Sequence, residues 1–281
     1  MRILITGAGG MLGQDVGRAA LAGGHEPITL PRASLDIGDA DAVSAAVAAA
    51  APDAVINCAA WTNVDGAEKA ESAAHAVNGP GAGHVAAASV RAGAWTVHVS
   101  SDYVFDGRKR EPYLESDAVG PLSAYGRSKL AGERAVADAA PDVHTVVRSA
   151  WLFGAGGECF PKTIQRLASE RDQLSIVADQ VGCPTFTGHL APALVSLALH
   201  RPAGLLHVAA DDQCSWFEFA QAIVAASGLE CDVRPIPTEG YPVPATRPAY
   251  SVLRSERGAP RLPSWRAGLA EFQAAWAGAA A

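Results

Sequence analysis

A chain of 281 residues that is 49% hydrophobic and 18% charged holds enough apolar material for one large domain or two modest ones, which excludes a disordered protein. With a net charge of -7, no Lys/Arg run offers the basic footprint that a nucleic-acid backbone needs, which points to a small-molecule partner. No apolar run nears the ~18 residues of a membrane span, and "MRILITGAGG" lacks the apolar stretch of a signal peptide, so a cytoplasmic protein without a membrane partner is expected.

The chain begins with "RILIT", a short buried strand, followed by a helix from Met11 to Gly23. Between them "TGAGGMLG" sets Gly7, Gly10 and Gly13 at G-x-x-G-x-x-G spacing, with Met11 and Leu12 inside the turn. Such glycines permit a tight strand-to-helix turn, let the backbone approach a pyrophosphate and leave helix N–H groups facing an anion. The plainer alternative is a tight turn in a chain with 28 glycines. Placement directly after the first strand favours dinucleotide binding.

The second strand, "EPITL", runs into "ITLPRAS", where Arg32 appears and no carboxylate precedes Asp36. An acidic residue there would hold a ribose 2′-hydroxyl, so its absence predicts NADPH as the preferred cofactor, with NADH a lesser substitute. Arg32 then stands near the 2′-phosphate; a solvated loop arginine is the open alternative. A helix over Asp39 to Ala50, the strand "DAVIN" and one long helical stretch near Asp65 to Arg91 follow.

The next strand, "WTVHVS", ends in Ser100, Ser101, Asp102 and Tyr103, hydroxyls and a carboxylate at the strand end where doubly wound sheets bind ligands. Ordinary turn chemistry explains the same residues. Beyond it, "SAYGRSKLAG" begins a helix from Ser123 to Ala139 with Tyr125 and Lys129 four apart, on one face. Five tyrosines and four lysines in this length give about 0.07 accidental Y-x-x-x-K matches. The lysine charge is expected to pull Tyr125 below its usual value of ~10, making it an acid usable near neutral pH.

The strand "VHTVVRS" completes the regular half. After Trp151 come a helix near Phe160 to Glu170, a strand "LSIV", the Gly/Pro-rich "DQVGCPTFTG", a helix from His189, a buried strand in "GLLHVAA" and a helix from Phe217 to Ala226. The alternation predicts an α/β, Rossmann-like doubly wound parallel sheet with a smaller, interleaved C-terminal lobe. Residues 1–150 with about 188–212 form the predicted cofactor-binding domain, and about 151–187 with 213–281 the substrate lobe. The cysteines, Cys58, Cys159, Cys183, Cys214 and Cys231, include no C-x-x-C, and the histidines show no metal-ligand spacing.

Together the glycine turn, "SSDYVFDG" and "YGRSK" resemble the extended short-chain dehydrogenase/reductases. Within them the sequence is similar to the dTDP-4-dehydrorhamnose reductase family: "NCAAWTNVDGAE", "VRSAWLFG", "DQVGCPT" and "RPAYSVL" carry the likeness along the chain. The resemblance implies that Ser101, Tyr125 and Lys129 form a catalytic triad reducing a sugar C4 ketone with NADPH. It also places Asp36 and Ile37 near the adenine, Ala59 and Ala60 along the cofactor path, and Val64, Asp102 and Trp151 against the sugar. Asp65 is instead expected to begin a helix. Departures are Ser101, where threonine is commoner, and Trp61, in place of a smaller or polar aromatic. Some members dimerise through magnesium held by glutamates. Asp15 falls near one such position without a matching set, so it is read as an exposed first-helix residue, leaving a homodimer as an expectation and magnesium open. Other 4-keto-6-deoxysugar reductases, epimerases or dehydratases with bound NAD, and a non-catalytic NADP-binding regulatory subunit are the alternatives.

Overall fold

A computed structural model describes residues 1–280; Ala281, the last residue of the predicted small lobe, lies outside the described residues. The first half alternates β1 (Arg2–Thr6), α1 (Met11–Ala22), β2 (Glu26–Leu30), α2 (Ala40–Ala50) and β3 (Ala54–Asn57). It continues through α3 (Val64–Lys69), α4 (Glu71–Asn78), α5 (Pro80–Arg91), β4 (Trp95–Ser101), α6 (Ala124–Ala139) and β5 (His144–Ser149). The second half contains β6 (Leu152–Phe153), α7 (Phe160–Glu170), β7 (Gln173–Val177), β8 (Val181–Gly182), β9 (Thr185–Phe186) and α8 (Thr187–His200). It closes with β10 (Gly204–His207), β11 (Cys214–Ser215), α9 (Trp216–Ser227), β12 (Asp232–Ile236) and α10 (Trp265–Ala280).

Six strands form one parallel sheet in the order β10-β5-β4-β3-β1-β2. Its strands are apolar on both faces because helices cover both. Ile3 and Ile5 of β1 face Leu12, Val16, Leu190 and Leu194 of α1 and α8, while Leu4 turns to Val43, Val47 and Val85 of α2 and α5. β1 lies between β2 and β3, so the chain runs outward one way and then the other. That reversal opens a crevice at the carboxyl ends of β1 and β3.

The long helical stretch expected from Asp65 to Arg91 is corrected to three helices. Ala70 leaves helical geometry at φ -133°, ψ 45°, and Gly79 at φ -90°, ψ -94° precedes Pro80. Proline disfavours a helical predecessor yet fits the first turn, so it ends one helix and starts the next. The helix expected from His189 also starts earlier, at Thr187.

Short pairs β6/β9, β7/β12 and β8/β11 build the second region with α7, α9 and α10. Its own apolar cluster includes Phe153, Ile164, Leu174, Phe219, Trp265 and Phe272. β10 instead joins the large sheet beside β5.

Candidate active site

The crevice is the mouth of a cleft of about 850 Å³, and every residue assigned to a site by sequence lies on its wall. At one end, Gly7 has φ 67°, and a Cβ there would stand 2.5 Å from the Ala59 nitrogen. A Cβ on Gly13 would collide with the Gly7 carbonyl, so this turn accepts only glycine. Gly10 caps α1 without a side-chain hydrogen bond, and the first turn, carrying Met11 and Leu12, holds no acidic residue. The positive end of a 12-residue helix therefore faces the cleft unneutralised, a fit for a phosphate.

Arg32 is exposed on the rim just past β2. Asp36, also exposed, accepts from the Gly38 amide at 2.9 Å and so folds the loop that buries Ile37. Ala59 and Ala60 follow β3; Ala59 donates its amide to Asn57 Oδ1 at 3.1 Å. Asn57 is itself tied to Thr6 Oγ1 (2.6 Å) and His98 Nδ1 (3.1 Å), which locks the ends of β1 and β3 to the middle of β4.

At the centre, Ser101 ends β4. Its hydroxyl donates to Asp102 Oδ1 at 3.0 Å and accepts from the Tyr103 amide at 3.2 Å. Tyr125 stands in the first turn of α6, which Ser123 caps by accepting from the Gly126 amide at 3.1 Å. Gly126 lets that turn press onto the Tyr103 carbonyl, and the Tyr103 and Tyr125 rings meet edge to face at 5.5 Å. Lys129, 2% exposed, points inward one turn later and donates to the Val99 carbonyl at 2.7 Å.

These surroundings correct one expectation. Burial pushes the Tyr125 phenol up to about 12; the Ser101 hydroxyl opposes this and the Asp102 carboxylate adds to it. Lys129 is not among the groups that set the phenol; its ammonium donates to the Val99 carbonyl instead. Burial in turn pushes Lys129 down to about 8, against the attraction of Glu133.

Glu133 and Arg148 are residues the sequence reading missed. Arg148 grips Glu133 with Nε at 2.8 Å and Nη2 at 2.7 Å, and Ser100 Oγ donates to the same carboxylate at 2.6 Å. This buried knot pins α6 to β4 and β5 and fixes the helix carrying Tyr125 and Lys129. The signal available was the i,i+4 spacing of Lys129 and Glu133.

Three carboxylates are held by partners within the fold. Asp102 lines the cleft, yet both its oxygens are engaged, Oδ1 by Ser101 and Oδ2 by Ser251 Oγ at 2.6 Å. Burial raises it to about 6, with the two serine hydroxyls opposing. It therefore ties the strand end to the C-terminal segment. Asp65 lies in the first turn of α3, as expected, but Asn63 is the residue that caps it; the Asp65 carboxylate pairs with Arg247 at 2.8 Å, and that hydrogen bond holds it below the usual carboxylate range. Asp15 is not exposed. It accepts from the Thr187 hydroxyl and pairs with Arg18, joining α1 to α8.

The far wall is aromatic. Trp151 adopts φ 47°, rare for a non-glycine residue, and its ring lies over Gly182, where a side chain would collide. It stacks on Trp216 with ring centres 3.5 Å apart and planes within 3°. Trp216, the first residue of α9, went unnoticed in the sequence; the Ser215/Glu218 capping box was its only signal. Val64 and Trp61 close the side between them, with Trp61 Nε1 donating to the Asn63 carbonyl at 2.9 Å. Among the described residues no group of three His, Cys, Asp or Glu side chains is arranged to hold a metal ion, and no helix is long and apolar enough to cross a membrane.

The model of the RmlD substrate binding domain family matches residues 1–277. The chain belongs to that family. Within the RmlD family, it is 44% identical over 287 residues to a dTDP-4-dehydrorhamnose reductase of Burkholderia thailandensis, covering 95% of this chain and 96% of the relative. It is 43% identical over 254 residues to a dTDP-4-keto-6-deoxy-D-glucose reductase of Streptomyces niveus, covering 90% and 88%. The solved structure of dTDP-4-dehydrorhamnose reductase from Bacillus anthracis in complex with NADP superposes with a TM-score of 0.94 at 37% identity, covering 98% of this chain and 99% of that one.

Proposed function

We infer that this protein is an NADPH-dependent oxidoreductase that reduces the C4 ketone of dTDP-4-dehydro-L-rhamnose to give dTDP-L-rhamnose. The observation that carries the reading is the convergence of Ser101, Tyr125 and Lys129 on one cleft whose other end is a glycine-only phosphate cradle. Relatives named as sugar-nucleotide reductases support the same chemistry.

NADPH, when bound, supplies the hydride. The Gly7 to Gly13 turn and the α1 terminus hold its phosphates, with Met11 and Leu12 beside them and Arg32 meeting the 2′-phosphate. Asp36 and Ile37 flank the adenine; Ala59 and Ala60 line the path inward. Lys129 leaves the Val99 carbonyl for the nicotinamide ribose. From there its charge faces the phenol and stabilises the tyrosinate that forms.

Tyr125 gives its proton to the C4 oxygen as the carbon is reduced. A phenol raised to about 12 keeps that proton until the developing alkoxide demands it. Ser101 turns its hydroxyl from Asp102 to the same oxygen, an oxyanion contact. Val64 and Trp151 position the sugar. The division of labour follows the predicted domains: residues 1–150 with 188–212 bind the cofactor, and the remainder selects the sugar.

The test is NADPH consumption, followed by its near-ultraviolet absorbance, against a panel of 4-keto sugar nucleotides and with NADH in parallel. The expected result is turnover with dTDP-4-dehydro-L-rhamnose and higher kcat/KM for NADPH. The relative from Streptomyces niveus favours one second reading, reduction of another dTDP-linked 4-keto-6-deoxysugar. Preference for such a sugar in the panel would select it. Release of NADP after each turnover separates both readings from an epimerase, which keeps its cofactor.

A further inference from the structure

Ser149 ends β5 at the cleft and is 2% exposed. Its hydroxyl has no hydrogen-bond partner. Among the described residues, the other buried side-chain polar atoms without partners, Thr96 Oγ1, His98 Nε2, Trp265 Nε1 and Gln273 Nε2, belong to residues that do not line the cleft. A buried hydroxyl left unpaired is a cost that folded proteins rarely carry, and at a ligand cleft the natural explanation is that the ligand completes it.

The position of Ser149 says which part of the ligand. In the parallel register of β4 and β5, Ser149 pairs with Ser101, so both side chains leave the same face of the sheet on neighbouring strands about 4.8 Å apart. Ser101 is committed to the reacting oxygen in the reading above, on which this inference rests. The polar group that must come to rest beside that centre, and that none of the side chains assigned so far serves, is the carboxamide of the nicotinamide ring. We propose that Ser149 is a positioning residue for the cofactor, its hydroxyl hydrogen-bonding the nicotinamide carboxamide and fixing how the ring lies beside Ser101.

The experiment compares wild type with Ser149→Ala by calorimetric titration with two ligands: NADPH, and 2′-phospho-ADP-ribose, which keeps the phosphates and adenine but lacks the ring. Melting temperatures without ligand are measured alongside. The variant is expected to bind NADPH about threefold to tenfold more weakly, the scale of one neutral hydrogen bond, and to bind 2′-phospho-ADP-ribose like wild type. Its ligand-free melting temperature is expected not to fall, because the hydroxyl has no partner to lose, while its NADPH-induced rise in melting temperature shrinks. Unchanged NADPH binding, or equal weakening of both ligands, would overturn the assignment. Failure of the wild-type protein to bind either ligand would overturn the cofactor reading itself, and the assignment with it.

Discussion

The wall of the cleft built by the parallel sheet takes its residues from strand ends in chain order, Gly7 after β1, Ala59 after β3, Ser101 at the end of β4. The opposite wall is assembled from separated segments: Trp151 precedes β6, Trp216 starts α9, and they meet face to face at 3.5 Å. The first arrangement follows from topology, since strand ends of one sheet must share an edge. The second exists only through packing, with a strained backbone at Trp151 and a glycine beneath its ring. On the proposed reading, the first wall would fix the reaction and the second would vary with the sugar.

Damage to the sheet wall is expected to be felt in chemistry and cofactor affinity, and damage to the aromatic wall in substrate affinity. The largest effect is expected for Tyr125→Phe, with kcat lower by about 10³-fold and NADPH affinity unchanged, read by steady-state kinetics and direct titration. Retained kcat would remove Tyr125 as the acid. Gly7→Ala comes next: the added Cβ meets the Ala59 backbone at a positive φ, so NADPH affinity should fall by about tenfold or more with a lowered melting temperature. Trp216→Leu should raise the KM for the sugar nucleotide about fivefold, from the lost stacking support of Trp151, and leave NADPH titration unchanged. An equal loss for both ligands would merge the two walls into one functional unit.

The smallest effect concerns pH. Burial lowers Lys129 to about 8, so its ammonium is present below that pH and lost as pH rises through it. Because kcat/KM for NADPH reports groups of the free enzyme, it should decline above about pH 8. Lys129→Met should be weaker at neutral pH and lack that decline. A wild-type profile flat to about pH 10 would contradict the assignment.

The same contrast explains what could be read in the sequence. The α/β alternation, the parallel sheet and the glycine turn were legible because each rests on local spacing, and the site residues chosen from motifs share one cleft. The misread features depend on tertiary surroundings. Ala70 and Gly79 break a stretch whose composition favours a helix throughout. Lys129 lines the cleft, but its hydrogen bond to the Val99 carbonyl lies in no pattern of Y-x-x-x-K. Asp15 looked exposed until Thr187, far along the chain, reached it. Trp216 and the Glu133–Arg148 knot are contacts between distant segments and left almost no local trace.

The central claim, net hydride transfer from NADPH to the sugar C4 in the cleft between these walls, is tested most directly with NADPH carrying deuterium on the transferred position. The expected result is one NADPH oxidised per dTDP-4-dehydro-L-rhamnose consumed, with deuterium at C4 of the product in a single configuration. Product without label at C4, or sugar conversion without net NADPH oxidation, would contradict it.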